Sequence, residues 1–110
     1  MPANNYLGEF EQMVLLAILQ GGEHANALEI RRELEASANR TVSKGAFYTT
    51  LDRMEKKGYL TWTAQAADGV RGGLPQRYFE VTPEGVGELQ KSRYALLKLW
   101  RGLDRVLENR

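Results

Sequence analysis

Apolar positions fall into four stretches of helical spacing and two of alternation. In the central stretch Phe47, Leu51 and Met54 recur at i, i+4 and i+7, which places them on one side of a helix; Ser43 stands at its N-cap and Gly58 closes it. Lys44, Thr49 and Arg53 fall on the other side, beside the small residue Ala46. Upstream, Glu9–Gln20 reads as a helix that is apolar around most of its circumference, through Phe10, Met13, Val14, Leu16, Ala17, Ile18 and Leu19, and Gly21-Gly22 ends it. Such a helix needs cover on more than one side. Between them a shorter helix opens at Ala25 or Asn26 and runs to about Ala36, with Leu28, Ile30 and Leu34 apolar among charged residues.

After Gly58 the period changes to two. Leu60, Trp62 and Ala64 share one side of a strand; Arg77, Phe79 and Val81 share one side of another, spanning Gln76–Thr82. The turn-rich tip Asp68–Pro75 joins them into a hairpin, which is marginal in water unless it packs on the helices. Thr82-Pro83-Glu84 then combines a capping hydroxyl, a proline at the first helical position and an acid near the positive helix end. The helix it opens is expected to continue almost to Asn109. Val86, Leu89, Leu96, Trp100, Leu103 and Leu107 follow a heptad-like spacing with Arg93 at the missing position. A helix this apolar is unstable alone and is expected to pair with a second copy of the chain, against the two-sided first helix. The expected dimerisation residues are Phe10, Val14, Leu89, Leu96, Trp100, Leu103 and Leu107.

The predicted fold is therefore mainly α with a small β-hairpin (α+β), in the order α-α-α-β-β-α. Two helices joined by a short polar link, the second with a polar outer face, form a helix-turn-helix, and the hairpin becomes its wing. Residues 1–82 make up this winged helix-turn-helix DNA-binding domain, and residues 83–110 the C-terminal dimerisation helix, one compact unit together with the first helix. An ordinary amphipathic helix and a plain surface hairpin have the same local patterns; the order of the elements favours the DNA-reading arrangement.

Composition narrows the chemistry. The 110 residues contain no cysteine, which removes disulfides, thiol nucleophiles and thiolate metal sites. His24 has no second histidine and no nearby acid cluster, so it reads as a surface or capping residue. The longest uninterrupted apolar run, Met13–Leu19, is far too short to cross a bilayer, and Met1–Asn5 lacks the charged and apolar parts of a secretion signal; a cytoplasmic protein is expected, with no membrane partner. The net charge of +1 conceals an uneven distribution. Residues 1–39 carry two basic and six acidic side chains (net −4), residues 40–80 seven and four (net +3), and residues 81–110 six and four (net +2). The basic side begins with the candidate reading helix. No phosphate loop, paired acids or nucleophile constellation accompanies these motifs, so neither an enzyme nor a cofactor or metal is expected.

The segment Val42–Leu60, VSKGAFYTTLDRMEKKGYL, resembles the V-S-x-G-x-[LVF]-Y-x-x-L-x-R-[LM]-E-x-x-G-[LY]-[LIV] pattern of PadR-type winged-helix transcriptional regulators. Gly72–Gly85 is similar to that family's returning wing strand and the T-x-x-G that opens its last helix, and Gly8–Glu11 and Ile30–Leu34 agree more loosely. The resemblance covers about Leu7–Leu107 and points to the short form with one C-terminal helix. It implies a homodimeric regulator, usually a repressor, acting on double-stranded DNA through a roughly palindromic operator. On that reading Thr49 and Arg53 face the major groove and Ser43, Lys44 and Tyr48 hold the backbone, with Tyr48 alternatively bracing the hairpin; Arg71 at the tip and Arg77 on the return strand are the wing's DNA-binding candidates. The wing departs from the family through Leu74 and Gln76, where basic residues are common, and the first turn through Ala25-Asn26-Ala27. Some relatives bind small aromatic or amphipathic compounds at the dimer interface, which makes Trp100 the candidate lining of an effector pocket, or else a packed interfacial residue. The rival to DNA reading is a winged helix used only for protein–protein contacts.

Overall fold

The computed structural model describes residues 6–66 and 75–108. The order is α1 (Glu9–Gly21), a 3-10 turn (Gly22–His24), α2 (Ala27–Ala38), α3 (Lys44–Lys56), β1 (Leu60–Ala66), β2 (Pro75–Val81), α4 (Pro83–Trp100) and a short α5 (Asp104–Glu108). It is the expected winged helix-turn-helix, with one additional break near the C-terminus.

Local chemistry sets the boundaries. The Glu11 carboxylate accepts from the Gly8 N–H at 3.0 Å and closes the start of α1. Asn26 and Ser43 cap α2 and α3, their side-chain oxygens accepting from Glu29 N at 2.9 Å and Ala46 N at 3.1 Å. Gly58, at φ +86°, ends α3 in a Schellman arrangement: its N–H donates to the Glu55 carbonyl at 2.9 Å and that of Tyr59 to the Met54 carbonyl at 2.9 Å.

The core lies where α1, α2 and α3 meet the inner face of the hairpin and the first half of α4. Val14, Leu15, Ile18, Ile30, Leu34, Phe47, Leu51, Met54, Leu60 and Phe79 are buried in it. β1 and β2 pair antiparallel with Trp62 opposite Phe79 and Ala64 opposite Arg77, so the alternation read from the sequence sets the register. The hairpin is also fastened at a place that the sequence did not indicate. The Phe79 N–H donates to the Ala25 carbonyl at 2.9 Å, and the Asn26 amide donates to Gln76 Oε1 at 3.2 Å. The departure at Ala25-Asn26-Ala27 therefore serves as an anchor for the returning strand.

Two expectations are corrected. The last helix does not run through to Asn109: Arg101 leaves helical geometry at ψ 123° and Gly102 adopts φ +79°, separating α4 from α5. Val14 and Leu89 are also not available to a second chain. Val14 is fully enclosed by the chain's own core, and Leu89 packs into the same cluster. α1 is two-sided as expected, but its outward apolar residues are Leu16 and Leu19, with Phe10 half-buried.

Candidate nucleic-acid interface

α3 separates its residues cleanly. Phe47, Thr50, Leu51 and Met54 are buried, and Lys44, Gly45, Ala46, Thr49, Asp52 and Arg53 are exposed. Thr50 turns its hydroxyl back to the Ala46 carbonyl at 2.9 Å, which satisfies it inside the core. At the helix start, Gly45 and Ala46 keep the surface low, so the backbone can approach a partner closely. The Ser43 hydroxyl oxygen is occupied as a cap acceptor, and its O–H remains able to donate to an acceptor such as a phosphate oxygen. Ser43, Lys44 and Thr49 are all exposed at the N-terminal half of α3.

The other candidates are placed differently. Tyr48 is half-buried, edge-on to Phe47 with ring centroids 5.4 Å apart. The Arg77 guanidinium lies 4.9 Å from the Trp62 ring centre, 5.8 Å from Phe79 and 5.9 Å from Tyr48. Arg77 therefore stands against aromatic faces from β1, β2 and α3, with the half-buried Tyr48 beside it. The Trp62 indole N–H donates to Glu55 Oε1 at 3.2 Å and adds a polar tie between the same elements. Arg71 lies outside the described residues.

Arg53 departs most from the sequence reading. Its Nε donates to Glu11 Oε2 at 3.3 Å, and Lys57 Nζ stands 3.6 Å from the same oxygen. Sequence reasoning gave Glu11 no such role; its only local signal is an acid at the third position of a helix. The Glu11 side chain is 14% exposed. Burial pushes its carboxyl upward, but the Gly8 N–H and the cations of Lys57 and Arg53 outweigh this and hold it below the ordinary value of 4.5. A carboxylate whose pKa is lowered by folding contributes stability above its unfolded pKa and loses it as pH falls through the folded value. Urea unfolding of Glu11→Gln is therefore expected to show its largest deficit against the parent at neutral pH. The deficit should shrink as pH falls from about 4.5 through the lowered pKa, whereas a constant deficit over that range would contradict the linkage.

Comparison with known proteins decides the family. Residues 15–91 match the profile of the transcriptional regulator PadR-like family, well over half of the chain. The chain belongs to this PadR-like family. No curated protein matches it. Solved structures show the same PadR fold. A PadR-like transcriptional regulator from Bacillus cereus has a TM-score of 0.70 at 23% identity, covering 92% of this chain and 93% of its own. A PadR-like transcription factor from Bacteroides fragilis has a TM-score of 0.69 at 23% identity, covering 88% of each chain. A PadR family regulator from Eggerthella lenta has a TM-score of 0.61 at 20% identity, covering 93% and 88%. Membership makes the protein a DNA-binding transcriptional regulator and not an enzyme. No helix among the described residues is long and apolar enough to cross a membrane.

Proposed function

We propose that this PadR-like regulator works in the cytoplasm as a homodimeric repressor that grips a roughly palindromic operator, with one α3 in each of two major grooves. The observation that carries the DNA-reading part is the low polar face at the start of α3. Gly45 and Ala46 allow close approach, Thr49 reaches base edges, and Ser43 and Lys44 fix the phosphates. The dimer is supported by the distal end of the chain. Leu96, Leu97, Leu99, Trp100, Leu103, Val106 and Leu107 are between 42% and 75% exposed, an apolar surface that monomers rarely leave uncovered. Leu16 and Leu19 on α1 supply a receiving surface of the same character. Two-fold pairing through this end sets the half-sites about one helical turn or a small multiple apart.

Thr49→Ala is expected to leave the dimer intact and to weaken operator binding by about 1–3 kcal/mol, while binding to unrelated duplex changes little. Sedimentation and titration of both duplexes measure this, and equal losses on the two would remove Thr49 from base reading. As an extension of the same proposal, Trp100 lines a site for a small aromatic or amphipathic effector at the dimer interface. In a Trp62→Phe background, Trp100 fluorescence should then shift on titration with planar aromatic cations or phenolic acids. An unmoved spectrum across both classes would dismiss the effector site.

A further inference from the structure

Thr49, Arg53 and Lys57 follow one another at intervals of four along the outer side of α3, so they form one strip down the helix. Its upper end, Thr49, is open, while its lower end is closed by a carboxylate from another element. Glu11 Oε2 lies 3.3 Å from Arg53 Nε and 3.6 Å from Lys57 Nζ, with Arg53 48% and Lys57 47% exposed around a Glu11 that is only 14% exposed. Glu11 is itself fixed from behind, because its second oxygen accepts the Gly8 N–H at 3.0 Å. Most solvent-exposed ion pairs contribute little because both partners wander. Here the acid is largely enclosed and anchored at a helix start, and only the cations are about half exposed.

We propose that Glu11 acts as an internal substitute for DNA phosphate, withholding Arg53 and Lys57 from the duplex backbone and so suppressing non-specific binding. The inference rests on the DNA-reading proposal and names a positioning residue on α1 that no contact with DNA would reveal. Sequence-independent affinity grows with each phosphate neutralised, whereas base contacts do not depend on those cations. Two cations held by an internal acid therefore lower the background of non-specific binding more than they lower operator binding.

The test compares the parent with Glu11→Gln on a random-sequence duplex and on a duplex selected by the parent, across a salt series. Glutamine keeps an acceptor for the Gly8 N–H and so preserves the cap while removing the charge. Releasing two cations is expected to steepen the dependence of log affinity on log salt by about 1.8 on the random duplex, at about 0.9 per phosphate. Between about 50 and 200 mM salt this is about a tenfold greater loss of affinity. Adding Arg53→Gln and Lys57→Gln to Glu11→Gln should return the slope to the parent's. The slope counts ions displaced by the folded fraction, so a variant that is merely less stable does not reproduce it. An unchanged slope in Glu11→Gln, with the parent binding DNA, overturns the inference alone. Failure of the parent to bind either duplex overturns the DNA reading and the inference with it.

Discussion

Phe47→Ala should cost about 3–5 kcal/mol of folding stability, the largest effect expected from any single core truncation here. Phe47 is fully buried on the inner side of α3, meets Tyr48 edge-on, and has the Arg31 guanidinium 5.9 Å from its ring centre. Arg31 also reaches the Val42 carbonyl in the link before α3. Removing the ring therefore leaves a cavity and loosens the seat that sets how far α3 protrudes. Urea unfolding reads the loss, and a deficit under about 1.5 kcal/mol would mean that the site collapses around the missing ring and that Phe47 does not organise α3. A milder substitution, Phe47→Leu, should retain most of the stability and reduce operator affinity through the tilt of α3.

Gly85→Ala should cost about 3 kcal/mol through overpacking. A Cβ at this position would stand 2.2 Å from the Tyr59 carbonyl oxygen and 2.7 Å from Val81 Cγ1, and the first of these is backbone. The close approach follows from how α4 begins. The Thr82 N–H donates to the Tyr59 carbonyl at 3.0 Å, and the Thr82 hydroxyl both donates to the Gly58 carbonyl at 2.6 Å and accepts the Gly85 N–H at 3.0 Å. The turn after α3, the end of the wing and the start of α4 are thus joined at one point that has no room for a side chain. This gives the T-x-x-G element its physical meaning: threonine makes the three-way junction and glycine lets it close. Thermal melts of Gly85→Ala and Gly87→Ala separate the two effects, since a Cβ at Gly87 meets nothing within 4 Å. Equal melting temperatures for the two variants would contradict the steric argument.

The sequence was legible where the determining chemistry is local. Ser43, Asn26 and Thr82 cap their helices through contacts three residues away, Gly58 ends α3 by its own backbone conformation, and the alternation around Trp62 and Phe79 aligns the strands. It was less legible where distant elements compete for one side chain. Glu11 and Arg53 are separated by 42 positions, so the outward position of Arg53 on its helix gave no sign that α1 would supply its partner. Arg77 shares a strand side with Phe79, yet only the approach of α3 brings the Tyr48 ring within 5.9 Å of its guanidinium. The heptad spacing continues through Gly102, but spacing alone does not register that the backbone leaves helical geometry there, with φ at +79°. An all-round apolar helix does not reveal that Val14 faces its own domain, and heptad spacing does not distinguish Leu89, buried at the start of α4, from the exposed positions beyond it. The burial pattern divides that surface and leaves Leu16, Leu19 and the distal half of α4 facing outward.

In the proposed function, two α3 helices, held by paired C-terminal regions, read a symmetric DNA site through the face that begins at Ser43. Selection from a randomised duplex pool by the purified protein, run beside a folded Lys44→Ala, Thr49→Ala variant at moderate salt, is the decisive experiment. The parent is expected to enrich an inverted repeat whose half-site centres lie about one helical turn or a small multiple apart, and the variant to enrich nothing. A folded parent that enriches no sequence, or the same repeat recovered equally well by the variant, would contradict it.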